Sequence, residues 1–497
     1  MNPIKVPRQP RIGLYSIGLH AYWNQFEGLR ERLVAYGKFI ESKLAEYAEV
    51  YNFGLVDTEQ RGRRAGEWFN EKNVDLIFCH AATYATSSVV LPVHQICHSP
   101  VVVLNLQPTP QINYSQAHTG EWLAHCGACP VPEISNAFER AGIRFRGVNG
   151  LLGMRHTPSE SLSHESTADR PEAVRAWRKI EEWVRAAGVI ANLRSSRFGF
   201  LGNTYSGMLD LYSDFTMIQA QAGIHIEVIE MCDLARLVQE VTADEVQAKL
   251  RDVHEFFTIS GDSPSDPIAK RPTPEQLRWA CTVAAAQEKL VRQYDLHALT
   301  YYYHGAPGGE YEKLQGGFIL GHSLLTARGI PCAGEGDIKT ALAMKICDLL
   351  GVGGSYSEIV VIDYEHETIL LGHDGPFHIA IAEGKPILRG MGLYHGKQGT
   401  GISVEAKVKH GPVTTLNVTQ VRSGHLKLIV SEGDSVPGPI MNIGNTQTPV
   451  RFRLHPDDYM EKWFREAPTH HCALSIGHNS GILKKVGELL GWETVVL

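Results

Sequence analysis

Residues 331–376, PCAGEGDIKTALAMKICDLLGVGGSYSEIVVIDYEHETILLGHDGP, carry three local patterns in succession, and the rest of the chain is read outward from them. Glu335 stands between Gly334 and Gly336, where small neighbours let the backbone turn sharply and a ligand approach closely. Asp337 suits a helix N-cap, and 338–350 is rich in Ala, Leu, Met and Lys with apolar residues at three- and four-residue steps, which predicts a helix. Gly351, Gly353 and Gly354 end it. Two β-branched and aliphatic runs follow, 355–362 and 368–371, separated by the polar turn 363–367, and they predict a β-hairpin.

A turn centred near Glu365 sets Glu358 opposite His373 or one residue out of register. Two carboxylates and an imidazole brought together this way suit a hard or borderline divalent cation with open positions for substrate oxygens. An ordinary polar pair on a wet sheet face would show the same spacing, so spacing alone does not separate the two. His470 and His471, adjacent near the C-terminus, have no structural need to be neighbours; one reads as a ligand and the other as a contact beside it.

The remainder of the 497 residues alternates strand and helix signals up to about residue 350 and then turns to β. Strands are expected at 11–16, 50–55, 76–80 and 101–106 with helices between them, which means a parallel, doubly wound sheet. Ligands gather at the carboxyl ends of such strands, so His20, Tyr22, Trp23, His80 and Tyr84 are pocket candidates, with packed loop aromatics as the bland alternative. The stretch 107–132, with His118 and His125, shows little periodicity and reads as a long irregular loop, and 158–171 as a polar connection. A second alternating unit starts after Arg197; Gly202-Asn203-Thr204, following a strand and preceding a helix, could hold phosphate, although no dinucleotide fingerprint accompanies it. After 400, the runs 401–409, 413–421 and 427–431 predict an antiparallel barrel or sandwich. The expected fold is therefore α/β: two doubly wound parallel-sheet domains, 1–190 and 191–352, and a C-terminal antiparallel β-barrel-like domain with terminal helices, 353–497.

Composition narrows the function classes. With 43% hydrophobic and 20% charged residues and a net charge of −7, nucleic acid is a poor partner. Nine scattered cysteines suit a reducing compartment, and Cys126-Gly-Ala-Cys129 is a lone CxxC without a second pair. The opening MNPIKVPRQPR has no apolar signal-peptide core and no run of eighteen apolar residues occurs, so the expectation is a cytoplasmic protein without a membrane partner.

Four motifs, AGEGDIKTA at 333–341, GGSYSE at 353–358, LLGHDGP at 370–376 and PTHHCALS at 468–475, resemble the L-arabinose isomerase family and the related fucose isomerases in kind and order. The resemblance implies a metal-dependent aldose–ketose isomerase, an intramolecular oxidoreductase that works on a free small-molecule sugar, L-arabinose or a related pentose or hexose, through an enediol. It places Glu335 and Glu358 as the catalytic pair and Glu335, Glu358, His373 and His471 around Mn²⁺, or Co²⁺ or Mg²⁺. His20, Tyr22, Tyr84, Met208, Tyr303 and His470 then fall to substrate binding. It also implies a homo-oligomer, a hexamer, with active sites at subunit interfaces and the 107–132 segment closing a neighbour's site. The sequence departs from the family where Ile359-Val360 follow Glu358 in place of Asp-Tyr, in a shorter hairpin, and in a longer 301–310 segment. These departures leave open a 6-deoxy or modified sugar such as L-fucose. From another class, a non-catalytic sugar-binding protein would share the α/β pattern of the first 350 residues.

Overall fold

Leu76–His80 and Val101–Gln107 are runs of aliphatic residues with no exposed position, the signature of strands covered on both faces. They are β3 and β4 of a sheet completed by β1 (Arg11–Ile17), β2 (Glu49–Val56) and β5 (Phe145–Leu151), in the order β2-β1-β3-β4-β5, every pairing parallel. Helices Leu29–Leu44, Glu59–Glu71 and Ser87–Ile96 make the crossovers, the second started by the Thr58 hydroxyl accepting from the Arg61 N–H. The order reverses between β1 and β3, the place where such sheets open a crevice. This sheet belongs to one compact unit, residues 8–191. The computed structural model describes residues 2–156, 166–303, 305, 308–391, 393–394, 397–398 and 401–497. The first part of the expected 158–171 connection, and residues 304, 306 and 307 of the 301–310 segment, lie outside the described residues.

The second compact unit comprises 1–7 and 192–497. It begins with a smaller parallel sheet, β6 (Arg197–Gly202), β7 (His225–Ile229), β8 (Ala298–Tyr302) and β9 (Cys332–Ala333), in the order β9-β8-β6-β7. Helix Ile338–Leu349 follows β9, and ten of its twelve residues are buried. The burial has a simple cause: it packs on β8 on one side and on two strands of the following β structure on the other, so it is apolar all round rather than on one stripe.

That β structure contains β10 (Ser355–Asp363), β11 (Thr368–His373), β14 (Gly411–Gln420), β15 (Leu426–Ser435), β16 (Thr446–Phe452) and β17 (His471–Ile476), with β12 (Ile387–Met391) and β13 (Ile402–Glu405) paired beside it. Strands run β14-β17-β10-β11-β16-β15, and β15 pairs back onto β14 through all ten residues. The ladder closes on itself, a barrel and not a sandwich, and β18 (Glu493–Val496) joins β15 in parallel. Closure removes the exposed edges an open sheet would carry.

Several expectations are corrected. The 107–132 segment is not wholly irregular: Thr119–Ala124 is a helix capped by the His118 ring, which accepts from the Glu121 N–H at 3.4 Å, and Val131–Arg140 is another. Gly202-Asn203-Thr204 does not open a helix; the next one, Phe215–Ala222, starts eleven residues after Thr204 with Asp214 as its N-cap, so the phosphate geometry is absent there. Helices Met231–Gln239, Glu310–Gly316 and Phe318–Thr326, and strand β16, had no clear signal in the sequence. No helix among the described residues is long and apolar enough to cross a membrane.

Candidate active site

Three pieces of local structure converge in the second unit. Glu335 lies in the turn joining β9 to the Ile338–Leu349 helix with φ of 59°, a left-handed conformation uncommon for a residue with a side chain. Gly336 continues it at φ 73°, and a Cβ there would lie 2.4 Å from the Asn203 carbonyl oxygen, so glycine is required. Asp337 then caps the helix, Oδ1 accepting from the Lys339 and Thr340 N–H groups at 3.0 Å.

The hairpin supplies Glu358 and His373. Glu358 faces Gly372, one residue short of His373, and the register shifts between Ile359 and Val361, leaving Val360 as a bulge on β10. On its other side Glu358 faces His471, the first residue of β17. One carboxylate is thus flanked by histidines from both neighbouring strands.

The resulting cluster is tight. His471 Nε2 lies 3.5 Å from Glu335 Oε2 and 3.2 Å from His373 Nε2; His373 Nε2 lies 3.8 Å from Glu335 Oε1 and 4.0 Å from Glu358 Oε1; His470 Nε2 lies 3.8 Å from Glu335 Oε2. Two groups, Glu335/His470/His471 and Glu358/His373/His471, hold their donor atoms within 4.8 Å of one another.

Each histidine turns its other nitrogen to an aspartate. His471 Nδ1 meets Asp337 Oδ2 at 3.0 Å, His470 Nδ1 meets Asp210 Oδ2 at 2.6 Å, and His373 Nδ1 lies 2.9 Å from Asp374 Oδ1, close enough for an ion pair but without hydrogen-bond angles. A carboxylate on Nδ1 fixes the tautomer and leaves Nε2 as the working atom. Tyr356, fully buried, packs its ring on both His373 and His471 and brings its hydroxyl within 2.9 Å of the His471 ring. None of the three aspartates was singled out as a histidine partner in the sequence; Asp337 was read as a cap alone, and it does both.

The electrostatics follow from burial and these charges. Burial raises the Glu335 carboxyl to about 7, opposed by His373 and His470 and helped by Asp374 and Glu358. Burial works against charge on His373, but Asp374, Glu358 and Glu335 outweigh it and bring the group up to about 9. His471, buried beside two other histidines, falls to about 3 despite Asp337. Burial also opposes the charge of Asp210, yet its bonds to His470 hold it down at about 2.

Two clefts meet at Glu335, His373 and Asp374. One is lined by Tyr205, Tyr301, Tyr302, Ile319 and Ile402, with Tyr205 and Tyr302 stacked at 4.5 Å; the other by Met208, Glu358, Asn445, Gln447 and His470. Met208 and His470 are therefore beside the carboxylates. Tyr303 is not in the cleft wall: its ring packs edge-on against Tyr311, and the two preceding tyrosines face the opening.

The remaining candidates lie in the first unit. His20 and Tyr22 form a 3₁₀ turn after β1, with His20 Nδ1 3.8 Å from Asp57, which also accepts from the Trp23 indole at 2.8 Å and pairs with Arg61 at 3.5 Å. Tyr84 follows β3 and its hydroxyl reaches Glu133 at 3.4 Å; the electrostatic environments of Tyr22 and Tyr84 both include Cys126 and Cys129. His80 is no pocket residue: it is buried, bonded to Ser16 at 3.0 Å and pushed down to about 3 by burial. His125 is likewise held internally, by Thr109 at 2.7 Å and the Glu121 carbonyl at 2.8 Å.

The description of the L-arabinose isomerase central domain matches residues 213–353, which include Glu335 and its turn. L-arabinose isomerase of Saccharophagus degradans is 22% identical over 344 residues, covering 66% of each chain. The chain is similar to the L-arabinose isomerase family over about two thirds of its length. L-arabinose isomerase of Geobacillus thermodenitrificans is 23% identical over 326 residues, 64% of each chain, so the match spans slightly less than two thirds of these relatives' length. Among solved structures, a periplasmic solute-binding protein of an ABC transporter from Actinobacillus succinogenes with bound D-allose aligns with 66% of this chain and 78% of its own at 11% identity and a TM-score of 0.17, too low to argue from.

Proposed function

We propose that this protein is a metal-dependent aldose–ketose isomerase acting on L-arabinose or a related free sugar. The observation that supports it best is the convergence of Glu335, Glu358, His373, His470 and His471, drawn from four separated motifs, around one point. The donor set fits a divalent cation: two carboxylates and imidazole Nε2 atoms, with Glu335 Oε2 buried and lacking a hydrogen-bond partner among the described residues. Glu335, Glu358, His373 and His471 would hold it, and a bound divalent cation would polarise the sugar's C1 and C2 oxygens.

The chain's own groups move the protons. Converting an aldose to a ketose takes the C2 proton to C1, gives O1 a proton and removes one from O2, with no net gain or loss. Of the two carboxylates, one carries the carbon-bound proton and the other serves the oxygens. A carboxyl raised to about 7 by burial, as Glu335 is, can give or take a proton near neutrality. The three aspartates keep the histidine Nε2 atoms directed at the carboxylates, and the stacked Tyr205 and Tyr302 offer a flat apolar wall to the sugar's C–H groups.

The test is a coupled screen of aldoses with Mn²⁺ on the wild type and on Glu335→Gln and Glu358→Gln. Each variant is expected to lose about 10²–10⁴-fold in kcat with its circular dichroism spectrum unchanged. A variant turning over at the wild-type rate removes that carboxylate from the mechanism, and full activity after exhaustive chelation removes the metal.

A further inference from the structure

His470 and His471 are adjacent, and adjacent residues in extended chain send their side chains to opposite sides. Here both rings lie on the same side, 3.8 Å apart by centroids, and both direct Nε2 at Glu335. His471 is the first residue of β17 and takes its direction from the barrel, where it faces Glu358. His470 lies just outside the strand, so something else must turn it. Asp210 does: its Oδ2 accepts from both the His470 backbone N–H, at 3.0 Å, and the ring Nδ1, at 2.6 Å, so one oxygen holds main chain and side chain together.

Asp210 is itself placed from below. It sits in the 3₁₀ turn Leu209–Leu211, and the buried Lys339 ammonium donates to the Ser213 hydroxyl at 2.7 Å and to the Leu211 carbonyl at 3.4 Å. Lys339 is two residues beyond Asp337, in the first turn of the same helix. That helix start therefore governs both histidines, His471 directly through Asp337 and His470 at one remove through Lys339 and the 209–213 turn.

We propose that Asp210, anchored by Lys339, is a positioning residue that turns His470 against the strand's alternation and onto Glu335. The inference concerns orientation; its kinetic consequence rests on the isomerase reading above. In the full-length protein, Asp210→Ala frees the His470 ring, which is then modified by diethyl pyrocarbonate several-fold faster, read by peptide mass spectrometry. Mn²⁺ affinity or kcat falls by about 10–100-fold, the usual cost of losing an outer carboxylate partner. Asp210→Asn, which keeps one acceptor oxygen, recovers part of the loss. Lys339→Met moves both readouts in the same direction by less and adds nothing to Asp210→Ala. Should Asp210→Ala fail to fold, Asp210→Asn and Lys339→Met carry the test alone. Unchanged His470 reactivity together with unchanged Mn²⁺ affinity in the folded variants overturns the proposal. If the wild type isomerises no aldose, the function fails while reactivity and metal affinity still decide the positioning.

Discussion

Histidines of the first unit's core and of the second unit's cluster differ in their partners. In the first unit, His80 and His94 sit in the sheet's core with single hydroxyl partners, Ser16 at 3.0 Å and Tyr15 at 2.9 Å, and burial pushes each down to about 3. In the second, His373, the half-buried His470 and His471 each have an aspartate beside Nδ1 and Glu335 ahead of Nε2; His373 rises to about 9, while His471 falls to about 3. Burial is common to His80, His94, His373 and His471. What differs is the carboxylate beside the far nitrogen, which orients the ring and directs Nε2 at Glu335.

The largest effect is expected where that difference is reversed. Asp337→Asn keeps Oδ1 as the helix cap for Lys339 and Thr340 but puts an amide NH₂ where Oδ2 accepted from His471. The amide donates, so Nδ1 must accept and the proton moves to Nε2, the atom facing Glu335. Mn²⁺ affinity by titration calorimetry should fall at least about 10–100-fold, while the unfolding free energy from urea titration stays within about 1 kcal/mol of wild type because the cap survives. Asp337→Ala loses both, and should be less stable by about a further 1–2 kcal/mol. If Asp337→Asn binds Mn²⁺ like the wild type, the aspartate is only a cap.

This pair of roles shows what was legible in the sequence. The helix Ile338–Leu349, its cap and the hairpin are local patterns, so their periodicity exposed them. Glu335, Glu358, His373 and His471 were readable because each stands in a short motif. Asp210 was not: it is 260 positions from His470, and no local pattern encodes that contact. The bulge was hidden for another reason. Ile359-Val360-Val361 reads as a buried strand, yet Val360 and Val361 are 52% and 46% exposed, because the register shift turns them outward beside Glu358. The barrel itself was expected, but its strand β16, TQTPVRF, was hidden, since it carries Pro449 in its middle and few aliphatic residues.

The next effect tests the first set by pH. His80 and His94 have folded values near 3, below the unfolded value of about 6.5, so the unfolded chain binds more protons in between. Their contribution is complete above about pH 6.5 and is lost as pH falls from there toward 3, at about 1.4 kcal/mol per pH unit for each histidine. Urea unfolding at pH 7 and pH 5 should therefore differ by about 2 kcal/mol per histidine. His80→Gln and His94→Gln should each flatten that difference. A variant whose stability difference between pH 7 and pH 5 is as large as the wild type's would mean that the ring it replaces is protonated inside the fold.

The smallest effect decides whether the contrast belongs to the units or to the aspartates. His322 is in the second unit, buried between Tyr301 and Phe318 at ring distances of 4.4 and 5.2 Å, and neither of its nitrogens has a hydrogen-bond partner among the described residues. Burial pushes it down to about 3, as for His80 and His94. It is a first-unit histidine in second-unit surroundings, lacking only the carboxylate. Replacing an unpaired buried polar group by an apolar one removes a desolvation cost of about 1–3 kcal/mol and gives up some ring packing, so His322→Leu should change stability at pH 7 by no more than about 1 kcal/mol. It should lessen the acid sensitivity by one proton and leave Mn²⁺ affinity unchanged. If instead His322→Leu weakens Mn²⁺ as Asp337→Asn does, a histidine without an aspartate serves the site equally well, and the carboxylate is not what separates the two kinds.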